Sequence, residues 1–193
     1  ELYEAGFEPR WLAWAIQLSE EAIARFGAPG GGLFQTASNE SSELFARAIE
    51  DHDGVEPAAS SALADAALRL YELTGRESLR RFADETLERF GARAGERAMA
   101  MPYLLSALDR ALGEPKTLVI AGLDLPGGGE MLSEARSKLR PDLVVAGFTS
   151  KTKKDLAALL PAVADMADSA KATAYLCVNR ACGLPLADLK DRL

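Results

Sequence analysis

The hydrophobic period changes once along this chain, and that change limits the folds open to it. Up to about residue 114, apolar residues recur at helical spacing. From Lys116 onward, short apolar runs rich in β-branched residues alternate with helical segments: KTLVIAG opening at Lys116, DLVVAGF ending at Phe148, and ATAYLCVN ending at Asn179. Strands alternating with helices make βαβ units and a parallel sheet. The expected fold class is therefore mixed. Residues 1–114 form α/α helical hairpins, and residues 115–193 form a small α/β unit with a short, three-stranded parallel sheet. Its predicted helices cover Glu130–Leu139, Lys153–Leu160 and Leu186–Leu193.

The helical part reads as four helices. Pro9 opens the first, Leu12, Ile16, Ile23 and Phe26 keep one face, and Gly27 stops it. The second starts near Pro57 and carries Leu63, Ala67, Leu70 and Leu73 to the cap at Gly75. The third holds Leu79, Phe82, Leu87 and Phe90 in register, and the join Thr74-Gly75-Arg76-Glu77 is short enough to predict an antiparallel pair. The fourth runs from Met101 to Leu112. Between the first two helices, Gly30, Gly31 and Gly32 precede Leu33 and Phe34. No Gly-Lys-Ser/Thr follows them and no strand precedes them, so they predict a tight turn into an extended segment and not a phosphate loop. Leu44–Ile49 reads as a short strand or an irregular arm.

Composition narrows the function classes. A chain with 48% hydrophobic and 26% charged residues is of ordinary globular type, and its net charge of −7 opposes a nucleic-acid surface. Lys151, Lys153 and Lys154 form the one dense basic run, read as a solvated helix start. No apolar run approaches the roughly 20 residues of a membrane span, and two cysteines point to a reducing, cytoplasmic setting. The chain begins at Glu1, which suggests a piece of something longer.

The densest group of candidate functional residues is the turn Asp51, His52, Asp53, Gly54, Glu56. Two carboxylates are the minimum for glycoside hydrolysis, but neighbours on one turn rarely flank a bound sugar. At most one of Asp53 and Glu56 is then catalytic; the other reading is that the aspartates shape the turn. The lone His52 is a polar turn residue or a single acid–base group. Trp11 and Trp14 either pack on neighbouring helices or stack on a sugar ring. GLDLPGGG, Gly122–Gly129, lies where phosphate turns lie but lacks their Lys and Ser/Thr, so a flexible turn is the stronger reading and phosphate binding the weaker. Cys177 and Cys182 are spaced for neither a C-x-x-C motif nor a zinc site; reduced thiols are expected, with a disulfide or redox-sensitive pair as the alternative. No metal site and no cofactor is expected.

Several of these segments, in order, resemble one family. They are GGLF, R-x-x-E-D-H-D-G-x-E-P-x-x-S-S-x-x-A, L-x-x-L-T-G, K-T-L-V-I-A-G and A-Y-L-C-V-N-R-A-C-G-L-P. Together the chain is similar to the C-terminal part of the YyaL-like family, which includes the spermatogenesis-associated thioredoxin-like proteins. The resemblance implies a thioredoxin-like domain and the early hairpins of a six-hairpin, glycosidase-like toroid lying outside this chain, which would then hold only part of the toroid. It implies that Asp51, Asp53, Gly54, Glu56 and Pro57 line the central pocket and that Cys177 and Cys182 are the terminal cysteine pair. Where the family has Ser-Gly-Asn-Ser, this chain has Ala58, Ala59, Ser60 and Ser61. The implied partners are the missing N-terminal portion or a second copy, with a sugar ligand. The implied function is binding or processing of a carbohydrate; the alternative is a non-enzymatic interaction or redox-linked module acting with a thioredoxin-like domain.

Overall fold

The computed structural model describes residues 1–38 and 46–189. Seven α-helices are described: α1 Leu2–Gly6, α2 Pro9–Phe26, α3 Ala59–Thr74, α4 Glu77–Glu96, α5 Pro102–Leu112, α6 Gly128–Ala135 and α7 Lys153–Ala157. The strands are β1 Lys116–Ala121, β2 Leu143–Phe148, β3 Thr173–Val178 and β4 Ala181–Cys182. The mixed class expected from the change of period is what the chain adopts. It divides into two compact units: residues 1–14, 72–75 and 114–193 form one, and residues 15–71 and 76–113 form the other.

The helical unit is organised around the three-glycine turn. Gly30, Gly31 and Gly32 all have positive φ. A Cβ on Gly31 would lie 2.3 Å from the Glu85 backbone, so only glycine lets this turn seat on α4. The seat is polar and fully used. Gly32 N–H donates to Thr86 Oγ1 (2.9 Å), Leu33 N–H donates to Ser60 Oγ (2.9 Å), and Arg89 donates to the Pro29 and Gly31 carbonyls at 3.0 Å each. These bonds explain how the polar side chains of Ser60 and Thr86 can be buried, at 3% and 0% exposure. An ion pair between Arg110 Nε and Asp65 Oδ1 (3.0 Å), only 11% and 14% exposed, ties α5 to α3. Among the described residues of the arm after the turn, Leu33 bridges Gly27 and Phe34 bridges Ile49; Leu44 lies outside the described residues, and no strand forms over Ala46–Ile49.

The sheet unit has strand order β2-β1-β3-β4. Leu118 and Ile120 of β1 pack with Met131 and Ala135 of α6 to make its core. One expectation is corrected here: β1 and β2 are parallel, but β3 runs antiparallel to β1. The connection over residues 149–172 ends on the turn that follows β1: Ala172 N–H donates to Pro126 O at 3.0 Å, which sets Thr173 beside Ala121. The chain therefore enters β3 at the carboxyl end of β1 and runs back along it. The expected Lys153–Leu160 helix breaks into α7 and a 3-10 turn at Pro161–Val163, and α6 lies two residues earlier than expected at its start and ends at Ala135. The expected terminal helix is also replaced. Leu186 exchanges both backbone hydrogen bonds with Ala174, at 2.8 and 3.0 Å, using the length of β3 that the two-residue β4 leaves open. Residues 190–193 of that prediction lie outside the described residues.

The β2 edge of the sheet is covered by α1. Glu4 Oε1 accepts the Val145 N–H at 3.1 Å, and Arg136 donates to the Glu4 and Ala5 carbonyls while lying over the Phe7 ring. Covering an edge strand removes a template for unwanted pairing.

Candidate functional site

The acidic turn serves two helix starts. Asp53 Oδ1 accepts the N–H of Ala58, immediately before α3, at 2.9 Å. Its Oδ2 accepts the N–H groups of Tyr103 and Leu104 at 2.8 and 3.3 Å. Those two are orphan donors of the first turn of α5, whose Pro102 has none to offer. A carboxylate at a helix N-terminus also meets the positive end of the dipole. Asp53 N–H itself donates to Ala100 O (2.7 Å). Both oxygens of Asp53 are thus occupied by backbone.

The neighbours do not converge on it. Asp51 pairs with Arg93 of α4 and stands 3.7 Å from His52 Nδ1. The His52 side chain is 61% exposed, and Glu56 is exposed too. Trp11 and Trp14 make a tilted pair with centroids 5.7 Å apart, and Trp14 is 52% exposed. They belong to the sheet unit, whereas Asp51, His52, Asp53 and Glu56 belong to the helical unit. Among the described residues, no three His, Cys, Asp or Glu side chains group to hold a metal ion, and no helix is long and apolar enough to cross a membrane.

The two cysteines, expected as reduced thiols, form a disulfide. The hairpin that carries them explains why. Asn179 and Arg180 have φ of 50° and 65°, giving the two-residue mirror-image turn that suits strand twist. That turn sets Val178 opposite Ala181 and Cys177 directly opposite Cys182, at the separation where facing side chains approach most closely. Four residues between two cysteines are the two turn residues and the pair that closes them. The signal was in the sequence as Asn-Arg flanked by a β-branched run, but Arg at a positive φ is uncommon, which hid the hairpin.

The disulfide lines a cavity of about 290 Å³ with Glu72, Thr117, Leu160 and Arg180. Cys177 is buried at 4%, while Cys182 is exposed. The Arg180 guanidinium lies against Gly75: a Cβ there would come within 2.4 Å of its Nη1. Gly75 is thus required by its positive φ as a helix stop and by the room it leaves for Arg180. Glu72 is a carboxylate at 7% exposure near the end of α3. Sequence reasoning passed over it as one polar residue in an apolar helix; its spacing of four from Leu68, a core position, was the available clue.

The chain is similar to part of several longer proteins. It is 30% identical over 191 residues to spermatogenesis-associated protein 20 of Homo sapiens, covering 97% of this chain and 24% of that protein. The Mus musculus protein of the same name is 29% identical over 191 residues, with the same shares covered. An uncharacterized protein of Caenorhabditis elegans is 27% identical over 193 residues, 99% of this chain and 26% of that one. The chain spans about a quarter of the length of these curated relatives. No protein-family model matches it.

Proposed function

We propose that the chain is the C-terminal segment of a protein like spermatogenesis-associated protein 20, and that it acts as a non-enzymatic, redox-linked module whose working group is the Cys177–Cys182 disulfide. The carrying observation is the asymmetry of the bond: Cys182, on the short strand β4, is exposed, and Cys177 is buried and lines a cavity with Arg180 and Glu72. The covalent loop is short, with a sequence separation of 5. A loop that small constrains the unfolded chain by only about 2 kcal/mol, so the bond is a weak brace.

The reaction is thiol–disulfide exchange with an external dithiol of the thioredoxin-like class. The partner's thiolate attacks Cys182 Sγ, the Cys177–Cys182 bond breaks, and Cys177 leaves as a thiolate that takes up a proton. The partner's second thiol loses its proton and attacks the mixed disulfide, releasing Cys182. This chain gains two electrons and two protons, and the partner is left oxidised. Arg180 lies on the turn between the two cysteines, where its positive charge favours a thiolate.

The test is equilibration of the folded chain in glutathione buffers, with alkylation and mass spectrometry reading the two cysteines. A midpoint above about −300 mV is expected, since exposed disulfides lie above the structural range. A bond that is reduced only once the chain is unfolded in urea overturns the reading.

A sugar-binding reading draws on a different observation, the exposed Trp14 tilted against Trp11. It predicts a saturable thermal shift with a monosaccharide that Trp14→Ala abolishes. In either reading, exposed Leu18, Met99 and Leu112 of the helical unit support a covering partner, which is the remainder of a longer chain or a second copy. A stable monomer by light scattering that binds no apolar dye would remove that partner.

A further inference from the structure

A second cavity, of about 450 Å³, opens at the carboxyl ends of the two parallel strands. Ala121 ends β1 and Phe148 ends β2, and both line it. In α/β sheets this is the end at which ligands bind, because the strand-to-helix turns diverge there and leave a crevice. Its size falls in the range of small-molecule sites. Gly122 and Leu125, from the glycine-rich turn after β1, form part of the wall. Gly122 has a φ of +78°, and a Cβ there would meet Leu125 at 2.6 Å, so the turn's shape depends on that glycine.

The charge of this cavity is opposite to that of the chain. Lys153, Lys154 and Lys171 line it against a single carboxylate, Asp168, in a protein of net charge −7. Lys153 Nζ is already held, donating to Met166 O at 2.7 Å and Asp168 Oδ1 at 2.8 Å. Lys154 and Lys171 are exposed and make no ion pair among the described residues. Leu125, Phe148 and Ala157 give the wall a hydrocarbon part, beside the hydroxyl-bearing Ser150, Ser169 and Thr173. The nearby Asp124 carboxylate accepts the Ser150 N–H (3.3 Å).

We propose that this cavity binds a small organic anion, a phosphate monoester or a carboxylate with a short hydrocarbon body, whose charged head meets Lys154 and Lys171 and whose body lies on Leu125, Phe148 and Ala157. Lys153 positions the wall through Asp168 and Met166. This site is separate from the disulfide and does not rest on the redox reading.

Titration calorimetry on the whole chain tests it with four probes at fixed ionic strength: butyl phosphate, butanoate, inorganic phosphate and butanol. At least one of the two four-carbon anions should bind at least tenfold more tightly than both inorganic phosphate and butanol. Which anion binds better identifies the head group. The double variant Lys154→Ala/Lys171→Ala, altering two exposed side chains, should weaken that binding at least tenfold. Ala164→Trp, an exposed lining position, should block it with both lysines intact. Circular dichroism checks that each variant keeps the fold. The proposal is overturned by no saturable binding of either anion, by binding that survives both variants, or by equal binding of butanol or inorganic phosphate.

Discussion

Asp53 carries more structure than its place in a turn suggests. Its carboxylate receives three backbone N–H groups and joins the starts of α3 and α5. Losing one helix cap costs about 1 kcal/mol and up to about 2. With two helix starts affected and a charge lost from the end of a helix dipole, Asp53→Ala should destabilise the chain by about 2–3 kcal/mol in urea unfolding. Asp53→Asn, which keeps one acceptor, should lose about half of that. A neutral Asp53→Ala would return the residue to the list of catalytic candidates. The density of carboxylates at Asp51–Glu56 was legible in the sequence, but the use of Asp53 was not. Its partners Tyr103 and Leu104 lie some fifty residues on, and no local pattern links them. A second residue-scale prediction concerns Tyr3. Burial pushes its phenol well above its ordinary value, and the neighbouring Glu4 charge adds to the rise. The unfolded chain gives up this proton from about pH 10 while the folded chain keeps it. The stability contributed by the neutral phenol is therefore whole below about pH 10 and is lost as pH climbs beyond it, by up to about 1.4 kcal/mol per unit. Between about pH 9.5 and 11, the unfolding midpoint of Tyr3→Phe should fall less steeply than that of the parent chain. Parallel curves would show that Tyr3 is not the group responsible.

At the scale of elements, the helices were legible and the direction of β3 was not. The helices α2 to α5 announce themselves by apolar spacing that ends at Gly27, Gly75 and Gly113. The third apolar run announced a strand, but its direction depends on which end of β1 the preceding connection reaches. That end is fixed by the hydrogen bond from Ala172 N–H to Pro126 O, between residues that no local pattern links. The Arg110–Asp65 pair shows how two helices are held by charge. At 11% and 14% exposure, removing one partner leaves the other's charge in a poorly solvated place. Breaking such a pair costs about 3–5 kcal/mol. Arg110→Ala should therefore be among the most damaging single changes in the helical unit. The joint replacement Asp65→Leu/Arg110→Met should cost much less than the sum of the two single changes, because neither charge is left alone. A double-mutant cycle in urea that gives simple additivity would show that the pair is solvated.

At the scale of the whole molecule, the chain passes between its two compact units four times, after residues 14, 71, 75 and 113. The sheet unit is consequently not a continuous tail. Residues 1–14 supply α1, whose Glu4 occupies the Val145 N–H on the β2 edge, and Tyr3 and Phe7, which are buried at 4% and 6%. Residues 72–75 supply Glu72 and the Gly75 surface on which Arg180 lies. A segment of residues 114–193 expressed alone keeps every strand yet loses the cover of its β2 edge and two buried aromatic rings. Each buried aromatic contributes on the order of 1.5–3 kcal/mol, a large share of the 5–15 kcal/mol that holds an ordinary domain together, and a bare edge strand invites pairing with other chains. The isolated segment should therefore aggregate or show no cooperative unfolding. Adding back residues 1–113 as a separate chain should restore cooperative unfolding and the protection of the Val145 amide from hydrogen exchange. If 114–193 alone unfolds cooperatively with that amide protected, α1 is dispensable to the sheet, and the edge is stabilised by the strands themselves.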